Sequence, residues 1–95
     1  MSKYEINKVL YDVYRDRGTA ERFTADPAAF LAGRALPDQA RMALAGRDVR
    51  WLVAAGAHPF LVYNFALRLA GQFSIPFVVD YVRQLQGLSL GDITT

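Results

Sequence analysis

Apolar residues recur every three or four positions through most of this chain. No stretch alternates convincingly at period two, so the pattern predicts helices and no strands. Ile6, Val9, Leu10, Val13 and Tyr14 mark a first amphipathic helix over Tyr4–Arg17, closed by Gly18. Thr19 is placed to cap a short helix ending at Ala25. Asp26-Pro27 reads as N-cap and first residue of a helix over Ala28–Ala32, with Gly33 as its stop. Pro37–Ala45 is predicted as another short helix, with Ala40, Leu44 and Met42 turned inward and Gly46 ending it.

The chain is organised around the stretch from Arg47 to Gln72. Asp48 suits the N-cap of a helix over Val49–Ala55, Gly56 the left-handed position that ends it, and Pro59 the first turn of the next. Beyond that corner Phe60, Leu61, Val62, Tyr63, Phe65, Leu67 and Leu69 point in nearly every direction around a helix. Such a helix must be enclosed by protein or lie in lipid. A membrane span needs about 20 apolar residues, and His58, Pro59, Asn64 and Arg68 break this run too soon. Phe60–Gln72 is therefore the predicted central helix. Ser74 can cap a last helix, with Pro76 in its first turn, an apolar stripe of Phe77, Val78, Tyr81, Val82 and Leu85, and Gly87 as its stop. The expectation is an all-α, compact single domain over residues 1–87. Five to six short helices would pack around the central one, with residues 88–95 (Leu88–Thr95) as an irregular tail.

Composition narrows the chemistry. Ninety-five residues support one hydrophobic core. The absence of cysteine removes disulfides and thiolate chemistry, and a cytoplasmic location is expected. The opening MSKYEINKVLYDVY carries too many charges for the apolar core of a secretion signal. A net charge of +2 speaks against a nucleic-acid partner, although Arg41, Arg47 and Arg50 are the nearest thing to a basic face. No metal site is expected: a facial triad of non-haem iron needs two histidines, and His58 is the single one here. No serine lies in a recognisable elbow motif, and the glycines fall at helix ends rather than in a phosphate-cradling loop. Asp12 and Asp16 share a helix face at four-residue spacing, but Lys8, Arg15 and Arg17 beside them indicate a solvated charged face. No catalytic residue is assigned, and the chain is not expected to be an enzyme on its own.

The run Glu21-Arg22-Phe23-Thr24-Ala25-Asp26-Pro27-Ala28-Ala29-Phe30-Leu31 resembles the ERF-x-AD-x-x-A-(F/Y)-L signature of the small alpha subunit of protocatechuate 4,5-dioxygenases, the LigA-like domain. Tyr4-Glu5-Ile6-Asn7 is similar to that family's opening Y-x-x-N. Arg47-Asp48 is similar to the RD before its corner, and Gly56 to its glycine turn. The resemblance covers about residues 4–73. It implies a noncatalytic accessory subunit of an extradiol (meta-cleavage) aromatic-ring-opening dioxygenase, acting in aromatic compound degradation. Such a subunit packs on a catalytic beta subunit that holds Fe(II) and shapes its cleft, while binding no cofactor itself. It follows that residues near the corner should serve the partner's pocket: His58 first, as a hydrogen-bonder near neutral pH, then Phe60, Tyr63, Asn64 and Phe73. The structural alternative is that His58 caps or packs the corner and the aromatics belong to the core. The functional alternative is a stand-alone recognition module that binds a peptide-modifying enzyme and presents its C-terminal tail as substrate.

Overall fold

The computed structural model describes residues 2–88; the tail from position 89 onward, including the presentation expected of it, lies outside the described residues. Seven helices and no strand are found among them: α1 (Ser2–Arg15), α2 (Arg17–Ala25), α3 (Pro27–Ala32), α4 (Asp38–Ala45), α5 (Val49–Ala54), α6 (Pro59–Ala70) and α7 (Ile75–Leu85). The all-α single domain holds, and each of the seven helices falls on a stretch that the pattern marks as helical.

Side chains set most of the helix starts. Asp26 accepts from the Ala29 N–H, Asp48 from the Trp51 N–H and the Ser74 hydroxyl oxygen from the Phe77 N–H, each capping the helix that follows. The first junction differs from expectation. Asp16 adopts extended backbone, and one of its carboxylate oxygens accepts from both the N–H and the hydroxyl of Thr19, each at 2.8 Å. Asp16 is thus the N-cap of α2, Thr19 is the third helical residue whose free N–H it satisfies, and Gly18 lies inside the first turn rather than closing α1.

Two successive helices end in the same way. After α5, the Ala57 N–H donates to the Leu52 carbonyl and the Gly56 N–H to that of Val53, with Gly56 at φ +96°. After α4, the Asp48 N–H donates to the Ala43 carbonyl and the Arg47 N–H to that of Leu44. Both are Schellman closures, which place their fifth residue in the left-handed region. Behind α5 that residue is glycine; behind α4 it is Arg47, at φ +56°. A left-handed non-glycine residue costs roughly 1–2 kcal/mol.

The most extensive helix pairing in the core is α1 against α6. Ile6, Val9, Leu10 and Val13 of α1 and Val62 and Phe65 of α6 are buried, joined by Phe23, Leu31, Leu44 and Leu52 from the intervening helices. The Phe23 and Phe65 rings meet edge to face at 5.6 Å, and the Arg68 Nε donates to the Tyr14 carbonyl at 3.1 Å, tying α6 to α1. As the sequence indicates, α6 is central, touching α1, α2 and α5. Its enclosure is partial, however: Phe60 is 56 % exposed, and Leu61, Tyr63 and Leu69 are half-buried. A domain of this size has too few helices to surround one of its own.

Two inward assignments are corrected. Met42 is 73 % exposed, because Ala40, Ala43 and Leu44 define the buried face of α4 and Met42 lies on the opposite side. Val82 is also exposed and shares an outer aliphatic face with Ile75 and Val79. The reason is that α7 is covered only from one side, by α5 and by Tyr63, which engages Phe77 and Tyr81. Arg50 fastens the end of α7 by donating to the carbonyls of Gln84 and Gln86, two groups that have no partner within the helix. Among the described residues, no helix is long and apolar enough to cross a membrane.

Candidate functional site

The corner between α5 and α6 is held from α1. The His58 backbone N–H donates to Oδ1 of Asn7 at 2.9 Å, which fixes the extended residue just before α6. His58 is itself the N-cap: its Nδ1 accepts from the Phe60 N–H at 3.2 Å. A ring nitrogen that accepts carries no proton, so in this arrangement the imidazole proton resides on Nε2, leaving an exposed side chain with one donor.

Around His58 the exposed side chains form a connected group. The Phe60 ring stands perpendicular to Tyr14 at 6.0 Å and edge-on to the His58 ring at 6.3 Å. Tyr14 in turn meets Tyr11 at 6.1 Å, and the Arg15 guanidinium lies 5.3 Å from the Tyr11 ring centre. Asn64, one turn beyond Phe60, donates from Nδ2 to the Phe60 carbonyl at 2.8 Å.

Of the five residues singled out in the sequence, the structure therefore brings together His58, Phe60 and Asn64. Tyr63 is elsewhere on α6, its ring 5.2 Å from Tyr81 and 5.9 Å from Phe77. Burial first, then the neighbouring Tyr63, pushes the Tyr81 hydroxyl up to about 12, so this is an internal aromatic cluster holding α7. Phe73 lies in the α6–α7 connection, 59 % exposed, and among the described residues no ring contact joins it to either group. Asn7, Tyr11 and Tyr14 were not foreseen as members. The Y-x-x-N opening marks Asn7, but only the fold places it against a residue 51 positions away.

The group can bind but has no bond-making pair. It offers an imidazole donor, an amide and aromatic edges, with no nucleophile beside a base. Among the described residues no three His, Cys, Asp or Glu side chains form a group able to hold a metal ion. Asp12 and Asp16 do not work as a pair. Asp12 accepts from Lys8 at 2.9 Å and from Arg34 at 3.2 Å, whereas Asp16 is spent on capping α2. Hydrogen bonds from Thr19 hold the Asp16 carboxyl below the usual range.

Comparison with known families gives one result. The model of the family "Aromatic-ring-opening dioxygenase LigAB, LigA subunit" matches residues 6–78, from the second turn of α1 into the first turn of α7, and so spans the His58 group. No curated protein and no solved structure matches the chain significantly.

Proposed function

The chain belongs to the family of LigA subunits of LigAB aromatic-ring-opening dioxygenases. From that membership we propose that it is the noncatalytic small subunit of an extradiol ring-cleaving enzyme, packing over the cleft of a separate catalytic subunit that holds Fe(II). The family match carries this reading. It is supported by the residue inventory: one histidine and no cysteine in the whole chain, so the iron would be held by the other subunit's side chains. His58, Phe60 and Asn64 are the residues proposed to face that cleft. Their role would be to shape it and to offer the Nε2–H as a hydrogen bond, in the way that a substrate site combines an apolar wall with a few placed polar groups.

The test is reconstitution. The chain and a candidate iron-bearing subunit are purified separately and together, and iron content, complex formation and catechol ring opening are measured for each. The expected outcome is that iron accompanies the larger subunit, that the two form a complex, and that ring opening is fastest when both are present. Stoichiometric iron and ring opening by the small chain alone would refute the proposal.

A further inference from the structure

We infer that Arg47, Trp51 and Met42 form a second docking point, built for a protein segment that carries a carboxylate beside an apolar side chain; it is separate from the His58 group and goes beyond the proposed subunit role. Arg47 carries the inference. It occupies the left-handed residue of a Schellman closure at φ +56°, where the next closure along the chain uses Gly56. Strain retained at one site, when the same fold relieves it at the matching site, points to a side chain wanted for its chemistry.

That side chain lines a cleft of about 530 Å³ with Gln39, Met42, Asp48, Trp51 and Gln84. Met42 is the most exposed large apolar residue of the described chain, and Trp51 is half-buried. Tryptophan, methionine and arginine are the residue types that enrich the centres of protein interfaces. A guanidinium pairs with a carboxylate through two parallel N–H bonds. The Gln39 amide beside it offers a donor and an acceptor suited to a peptide backbone, and Gln84, whose Nε2 donates to Asp80 at 3.0 Å, keeps its amide oxygen as an acceptor. The Asp48 carboxylate already accepts the Trp51 N–H as the cap of α5, and Arg50, beside this group, is committed to the end of α7. Arg47 also stands at the C-terminus of α4, where any cation is favoured. That role alone would be met equally by lysine, which the experiment uses.

Trp51 is the only tryptophan in the chain, so intrinsic fluorescence reads this cleft directly. The probes are the blocked tripeptides acetyl-Leu-Glu-Leu-amide and acetyl-Leu-Gln-Leu-amide, with hexanoate as a small carboxylate. The expected result is a saturable fluorescence change with the Glu peptide, at least tenfold tighter than with the Gln peptide. Arg47→Gln and Arg47→Lys should both remove that preference. Arg47→Gly should remove it too while leaving the melting temperature unchanged or raising it by several degrees, because the left-handed strain is relieved. Equal response to the two peptides, or none, would overturn the proposal. So would hexanoate binding as tightly as the Glu peptide, which would make this a small-molecule site. A clear fall in melting temperature for Arg47→Gly would show instead that Arg47 serves the fold.

Discussion

Asn7 and His58 stand 51 positions apart in the chain, and the side-chain oxygen of one accepts the backbone N–H of the other at 2.9 Å. This bond joins the first helix to the corner that launches α6, and those two helices pack against each other more extensively than any other pair. Replacing Asn7 with Ala leaves the exposed His58 N–H without its protein acceptor. A loss of about 0.5–1.5 kcal/mol is expected in urea unfolding, with faster amide exchange confined to Ala57–Phe60. Uniform loss of protection would mean that the bond is not local to the corner.

His58 has two separable duties, and two substitutions divide them. His58→Ala removes the cap on the Phe60 N–H and should cost about 0.5–2 kcal/mol. His58→Asn restores a short-chain acceptor for that N–H, so its melting temperature should return most of the way to wild type. If the imidazole Nε2–H also serves a partner's cleft, the Asn variant should still show weakened substrate affinity or turnover in the reconstituted complex. Normal kinetics for a stable His58→Asn complex would confine His58 to capping.

Phe65 and Asp48 rank the core against the caps. Phe65 is fully buried against Phe23, and Phe65→Ala should cost about 3–5 kcal/mol through the cavity it leaves. Asp48→Ala loses one N-cap bond to Trp51 and should cost about 0.5–2 kcal/mol. Denaturant melts of the two variants give the comparison directly, and the order should be unmistakable.

Asp12 predicts a dependence on acid. Burial pushes its carboxyl up, but hydrogen bonds from Lys8 and Arg34, together with their charges, outweigh this and hold it below its ordinary value. A carboxyl that is more acidic in the folded state adds stability at neutral pH, and that contribution is lost as the pH falls below about 4 and through the lowered folded value. Asp12→Asn should therefore be less stable than the parent at pH near 7, with the gap closing in acid. A gap that stays constant across that range would show that the pairing contributes nothing measurable.

What the sequence determined by itself was local. Helix existence, most of the starts and the left-handed Gly56 follow from capping residues, proline and glycine placement, and three- to four-residue spacing, all of which act within one or two turns. The same locality explains the misplacements. Thr19 and Asp16 are both good caps three residues apart, and which one closes on the other depends on where α1 stops. Met42 and Val82 sit at apolar positions of short helices, and a short helix does not reveal which side its neighbours will cover. The tertiary structure alone decided that α6 is walled by α1 and left partly open, because the number of helices available to cover it is a property of the packed domain. It also decided that His58 joins Asn7, Phe60 and Tyr14 while Tyr63 turns to Tyr81, and that Arg47 rather than Gly46 takes the left-handed turn. Those outcomes rest on contacts between distant segments and on the exact residue at which a closure falls, neither of which is set by spacing along the chain.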